Sequence, residues 1–480
     1  MMKDLVLLAI DTATAKGASY ADARVVQYRR QYIACEDQRV SQLVDSEDWG
    51  IGVRVIADGA WGFAGTSVLT PEEVQRVAAE AVAIAKASAS ARRKPVQLAP
   101  EPVHQISFRS ACEVDPFHVP VDTKVGLLLQ INAALLKHAG IKKATSYLLF
   151  KREERVFAST EGSLMDSIIY TTAASYTATA VGEGDARSRT YAPPPMTEGY
   201  ENINAEDLLG NTERVAQQAL EHLKAPEVDD MVTDLVLDPL NLALTMHESV
   251  GHPTELDRAL GYEESLAGRS FATPDKLHTL QYGSPIVNFV ADNTLPGGLA
   301  TQGFDDDGVE CQRWYVVKDG IFCGYSTSRE VAAEIGMPRS TGSTRADSWG
   351  SIPIVRQPNL SLMPGKEPLS PEDLIADTKD GIYIEGMGSF SIDQMRQNFQ
   401  FGGDAFWRIK NGKLVHMLKN VTYHSITEKF WNSCDAICDE RFWVPNGVLN
   451  CGKGDPMQIA QMTHGAATAR FRQVQVRRAR

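Results

Sequence analysis

A chain of 480 residues, 43% hydrophobic and 23% charged, is long enough for two or three cores and has the makeup of a soluble globular protein. With 48 basic against 61 acidic residues, the net charge of −13 argues against nucleic acid as the main partner, and the basic end from Arg470 to Arg480 reads as a solvated terminus. The start, Met1-Met2-Lys3-Asp4-Leu5, lacks a secretory pattern, Leu5 to Ile10 is too short for a membrane span, and seven scattered cysteines form no disulfide framework, so the expected compartment is the cytoplasm.

The expected fold class is α+β: an N-terminal α/β region of mixed helices and antiparallel sheets, then a β-rich C-terminal domain carrying the metal-binding helix. Three blocks are expected, 1–95, 96–229 and 230–480. In the first, a helix near 2–15 precedes strands at 22–34 and 38–44, and Asp58-Gly59 turns a hairpin between 51–56 and 60–65. Thr70-Pro71-Glu72-Glu73 opens an Ala-rich helix to about 88 as a capping box with proline at its first position. Ser88 to Pro95 reads as a linker. The second block holds a helix over 122–139 with Leu128, Ile131 and Leu135 on one stripe, strands at 146–150, 154–159 and 163–179, and a helix over 204–224. The third is strand-rich, with hairpin turns at Asp319-Gly320 and Asn411-Gly412 and long paired strands over 399–409 and 414–423. A short helix is expected over 328–335.

The most informative residues open the third block. After a strand at 233–237, Asp238 fits an N-cap and Pro239 a first helical position. The helix leads to His247-Glu248-Ser249-Val250-Gly251-His252, an H-E-x-x-x-H hexapeptide. Two imidazoles can hold zinc, and the carboxylate beside the first can take a proton from a metal-activated water. On a regular helix, residues five apart lie about 140° apart around the axis, so both histidines cannot face one ion. Something must open the helix: Gly251 through unusual dihedrals, Pro253 by biasing His252 away from the helical region, or a one-turn π-bulge. The bland alternative is a core helix that happens to contain two histidines.

A third ligand is available late in the chain. Asn450-Cys451-Gly452-Lys453-Gly454 sets a cysteine among turn residues, and a neighbouring lysine favours the thiolate that zinc binds. With this stretch the chain resembles the TldD/PmbA family, described as modulators of DNA gyrase and as zinc metallopeptidases. The stretches 292–297, 303–308 and 320–325, and 49–65 with its following helix, carry the same resemblance. Carrying the hexapeptide, the chain resembles the TldD-like, catalytically competent branch. The resemblance implies His247, His252 and Cys451 as zinc ligands and Glu248 as general base. It also implies a dimer that encloses the site, either a homodimer or a heterodimer with a motif-lacking sibling, open only to extended peptides. Pro253-Thr254-Glu255-Leu256-Asp257 departs from the commonest TldD wording, which leaves substrate and partner choice open.

The expected function is zinc-dependent hydrolysis of peptide bonds in small or unfolded peptides. A thiolate ligand weakens the metal as a Lewis acid, so a water-excluding surround is expected. The competing reading is a regulatory protein with a structural zinc; such a site has four protein ligands and no use for Glu248. Among other clusters, Asp305-Asp306-Asp307-Gly308 reads as a turn before a cation site, and Cys434 with Cys438 as structural. His464 is a possible transition-state donor or spare ligand, and Ser340 to Gly350 a flexible loop at the channel entrance.

Overall fold

A computed structural model describes residues 2–479 and shows an α+β fold. One seven-stranded sheet runs through the N-terminal half, in the order 60–66, 39–57, 20–36, 141–159, 164–182 and 107–109, with 185–191 paired to 164–182. The strands expected at 38–44 and 51–56 are one 19-residue strand, Arg39–Ala57. The reason lies in its partner: Tyr20–Glu36 runs beside it throughout, from Tyr20 opposite Ile56 to Glu36 opposite Arg39. The same partner pairs on its other edge with Ile141–Ser159, so a single sheet ties residues before 95 to residues after 140. Two helices, Met2–Ala15 and Pro71–Ser88, bury Val6, Ala9 and Ala13 with Val74, Val77 and Ala81 against one part of it. Thr70 caps the second of these by accepting from the Glu73 amide, but the Glu73 carboxylate turns to Arg76, so only half of the expected capping box forms. Val121–Leu136 and Thr212–Lys224 cover the rest around Leu128, Ile131, Leu148 and Tyr176.

The C-terminal half holds a six-stranded and a nine-stranded sheet with the motif helix packed between them. The six-stranded sheet ends in the antiparallel pair Val444–Lys453 and Gln458–Ala466. The nine-stranded sheet centres on Ala469–Arg478, Met231–Leu237 and Asp380–Glu385. The long hairpin expected over 399–423 is split. Its tip, Ala405–Lys410 with Lys413–Leu418, pairs with Asp380–Glu385, whereas its base, Asn398–Phe401 with Val421–Ile426, pairs with Ala469–Arg478. The bend falls at Gly402-Gly403. A Cβ at Gly403 would lie 2.4 Å from Ile384 Cγ2, so a side chain there would keep the strand from closing on its neighbour.

Buried ion pairs fasten the two halves. Asp306 pairs with Arg155 at 2.7 Å and Arg24 at 3.3 Å, and Asp307 with Arg54 at 2.8 Å. Asp305 accepts from the amides of Asp307, Val309 and Thr344. All three carboxylates are thereby used, and the acidic run is a buried turn. Ser340 to Gly350 is not the free loop expected. Ser340 to Thr344 are buried, Thr344-Arg345 pairs with Ile354-Val355, and Trp349 lies against Gly50, Gly52 and Gly65 of the N-terminal sheet. The loop is a strap between the halves, held by hydrogen bonds to Thr327, Asp305, Asp306 and the strand Gln458–Ala466. Among the described residues no helix is long and apolar enough to cross a membrane.

Candidate metal centre

The motif helix begins as its residues dictate. The Asp238 side chain accepts from the Asn241 amide at 2.7 Å, and Pro239 occupies the first turn, where its missing N–H costs nothing. The α-helix Pro239–Met246 then widens into a π-turn, His247–Gly251, closed by the His252 amide on the His247 carbonyl. Of the three devices considered, the π-bulge is the one present. His252 keeps helical dihedrals, φ −63 and ψ −44, so Pro253 does not push it out of the helical region. Instead, Pro253 has no N–H for the Glu248 carbonyl, which ends the π-turn in a 3-10 turn, His252–Thr254. Gly251 is also helical, at φ −58. Its reason is space: a Cβ there would lie 1.9 Å from Gln357 Oε1. Gln357 in turn donates from Nε2 to the His247 carbonyl at 3.0 Å. Tyr282 Oη donates to the Ser249 carbonyl, and Thr254 Oγ1 to that of Val250 at 2.7 Å. The π-turn is therefore held from outside the helix.

This geometry brings both histidines to one place. Donor atoms of His247, His252 and Cys451 all lie within 4.8 Å of one another, and all three residues are buried. A tetrahedral ion with bonds of roughly 2.0–2.3 Å holds its donors about 3.3–3.8 Å apart. His252 Nε2 and Cys451 Sγ, at 3.7 Å, already have that spacing. Each imidazole is oriented through its other nitrogen: His252 Nδ1 lies 2.8 Å from Glu255 Oε2, and His247 Nδ1 lies 2.8 Å from His464 Nε2. Both Nε2 atoms are thus left as donors, the arrangement in which a neighbour fixes the tautomer of a ligating histidine. Burial holds His247 below, and His252 well below, the usual imidazole pKa, so both are neutral at neutral pH. Burial pushes the Cys451 thiol up, while the permanently charged Arg356 beside it pulls the other way. Arg356 Nη2 also donates to the Cys451 carbonyl at 2.5 Å. Two neutral imidazoles and a thiol beside a fixed cation are a donor set that suits zinc.

Cys451 stands on the strand Val444–Lys453, beside a bulge between Val448 and Cys451, rather than among turn residues. The cation expected to favour its thiolate is also a different one. Lys453 is wholly buried and is engaged by Asp257 at 2.8 Å and Glu255 at 3.2 Å, behind His252. His464 sits behind His247 as its orienting partner, not as a ligand. Glu248 is buried beside the trio but outside its 4.8 Å convergence, and its Oε2 pairs with Arg396 Nη1 at 2.5 Å. Glu255, Gln357, Arg356 and Arg396 were not singled out from the sequence. Only Glu255 carried a local signal, three residues after His252 and so one 3-10 turn away. Cys434 and Cys438 are buried free thiols in the C-terminal core.

The geometry defines a class: an α+β protein with three converging N/N/S donors and a carboxylate beside them, set between two sheets. Comparison with known proteins narrows this. Models described as PmbA/TldA metallopeptidase domain 1, central domain and C-terminal domain match residues 21–85, 114–225 and 230–478. The chain belongs to the PmbA/TldD metallopeptidase family. It is 27% identical to a metalloprotease of Synechocystis sp., over 96% of this chain and 95% of that one. It is 23% identical to a zinc metalloprotease TldD homolog of Saccharolobus solfataricus, over 97% and 98%. Its fold is shared with a Thermotoga maritima protein described as a candidate modulator of DNA gyrase, with a TM-score of 0.79, 15% identity, and 99% and 100% of the chains covered. TldE of Thermococcus kodakarensis also shares it, with a TM-score of 0.76, 16% identity, and 98% and 100% covered.

Proposed function

We propose that this chain is a zinc-dependent peptidase in which His247, His252 and Cys451 hold the ion and Glu248 is the general base. The observation that carries the reading is that, among the described residues, three protein donors converge, with the Glu248 carboxylate next to His247 but outside their group. Three donors suit a site that keeps one position for water or substrate, whereas a structural zinc takes four. Bound there, zinc would lower the pKa of a water and draw charge from a scissile carbonyl. Glu248 takes the proton from that water and delivers it to the leaving amine. Glu255 and His464 keep the imidazoles aimed, and the buried surround limits bulk water. The same counting speaks against a regulatory protein with a structural zinc, the function suggested by the gyrase-modulator description.

Small or unfolded peptides are the proposed substrates. A cavity of about 550 Å³ lies between the N-terminal sheet and the strand Gln458–Ala466, with Tyr32, Phe150, Arg345 and Ile459 in its walls. Ala460 in its wall is the strand partner of Cys451. An extended chain could lie there and pair through its backbone, so tolerating varied side chains. Selectivity is proposed to rest on a dimer, with itself or with a sibling lacking the motif, that restricts access. The absence of any disulfide among seven free cysteines agrees with a cytoplasmic setting. The test is a pair of variants. Glu248→Gln should keep zinc near one per chain and abolish peptide hydrolysis; Cys451→Ala should lose both, because removing a ligand removes affinity directly. Full activity in Glu248→Gln would refute the general-base role.

A further inference from the structure

Arg396 stands on the turn between the strands Phe390–Ile392 and Asn398–Phe401, 148 residues from the carboxylate it meets. Its turn is built with care. Asp393 accepts from the amides of Gln397 and Asn398 at 2.9 and 3.1 Å, and the Arg396 amide donates to the Asp393 carbonyl at 3.0 Å. The carbonyls of Gln394 and Met395 accept from the amides of Arg269 and Phe271, and Thr427 Oγ1 donates to the Arg396 carbonyl at 3.0 Å. The turn is fixed on both sides, and Arg396 itself is held at φ +61, a region that costs most residues about 1–2 kcal/mol. A non-glycine residue in that conformation on so tightly tied a turn calls for a reason. The guanidinium gives one: Nη1 reaches Glu248 Oε2 at 2.5 Å. Among the described residues Glu248 Oε1 makes no hydrogen bond, and Arg396 Nε is buried without a partner.

We infer that Arg396 is a positioning residue for the general base, holding Glu248 by one oxygen so that the other is presented to the water. The inference rests on the reading of Glu248 given above. A carboxylate at the end of a two-carbon stem has rotamers that turn it away from its neighbours. One short, charge-assisted bond from a fixed donor removes them. Arg396 enters from a pinned turn and its Nη1 is tied to Glu248, so the base is aimed before substrate arrives. The proton moves between water, Glu248 and the leaving amine; Arg396 neither gains nor loses one.

Arg396→Gly is the suitable deletion, since glycine accepts φ +61 without cost and leaves the turn intact. Arg396→Lys retains the cation but not the fork. Kinetics on a quenched-fluorescence peptide, with zinc content and thermal melting measured alongside, give the test. The expected result is a kcat lowered by roughly 10²-fold in Arg396→Gly, of the order a misplaced catalytic group costs. KM and zinc content should stay near wild type, Arg396→Lys should lie between, and added guanidinium ion should restore part of kcat in the glycine variant alone. A merely structural role would not be rescued by guanidinium. Unchanged kcat overturns the inference, and so does a raised kcat, which would make the ion pair an inhibitory latch. A glycine variant that misfolds or loses zinc leaves the decision to the lysine variant, whose unchanged kcat would likewise overturn it. Wild type and Glu248→Gln run beside them: an inactive wild type defeats the peptidase reading itself, whereas an active wild type and a dead Glu248→Gln confine any failure to Arg396.

Discussion

Gly251→Ala is expected to destabilise the protein and loosen the metal centre, although alanine is the better helix former. The new Cβ would lie 1.9 Å from Gln357 Oε1 and 2.4 Å from its Cδ. Gln357 is fully buried and cannot swing into solvent, and its Nε2 bonds the His247 carbonyl. Overpacking costs roughly 1–3 kcal/mol, and a buried hydrogen bond left unmade costs a further ~1–3 kcal/mol. Against this, alanine for glycine within a helix returns about 1 kcal/mol. The net expectation is a loss of about 1–5 kcal/mol, read as a shift of the urea midpoint at unchanged slope. His252 follows directly, so zinc affinity measured by chelator competition should fall as well. The double variant Gly251→Ala/Gln357→Ala removes the clash and should be less destabilised than the sum of the two singles. Stability within 0.5 kcal/mol of wild type in Gly251→Ala would refute the spatial argument.

Two further expectations follow from groups outside the donor set. Glu255→Gln should lower zinc affinity by about 10–100-fold with little change in fold, since Glu255 orients His252 without being a ligand; unchanged affinity in competition titrations would remove that role. Burial, aided by Arg187 and Arg189, lowers the pKa of His222 to about 4, and both ring nitrogens lack partners beside Phe406. A histidine with its folded pKa below its unfolded ~6.5 adds stability above pH 6.5 and loses it as pH falls towards 4. His222→Phe should therefore unfold less readily in acid, closing a gap of up to ~3 kcal/mol between pH 6.5 and 4 in urea titrations; parallel pH profiles for the two proteins would contradict this.

Much of the centre was legible because its geometry is local. The spacing of His247 and His252 by itself demanded that the helix open between them, though not by which of three devices, and Asp238-Pro239 located its start. The reason for Gly251 was hidden, because the side chain that excludes a Cβ belongs to Gln357, over a hundred residues on. Lys453 misled for a similar cause: adjacency in sequence suggested a partner for Cys451, but Glu255 and Asp257 draw its charge behind His252. Arg396 left no local trace, since its meeting with Glu248 depends on how the nine-stranded sheet closes. The strap at 340–350 read as a loop because its small polar residues find their hydrogen bonds elsewhere in the C-terminal half and its tryptophan packs on glycines of the N-terminal sheet. Long strands read as shorter ones: 38–44 and 51–56 are a single strand because a partner elsewhere in the chain carries the pairing through. The reverse holds at 399–423, where Gly402-Gly403 lets one hairpin serve two neighbours.

X-ray absorption at the zinc edge of the purified, zinc-loaded protein tests the account most directly. One sulfur at about 2.3 Å and two imidazole nitrogens at about 2.0–2.1 Å are expected, with a light-atom ligand in the remaining position. The sulfur shell should vanish in Cys451→Ser while remaining in Glu248→Gln. A spectrum without sulfur, or one with four protein ligands unchanged by loss of Cys451, would contradict the centre described here.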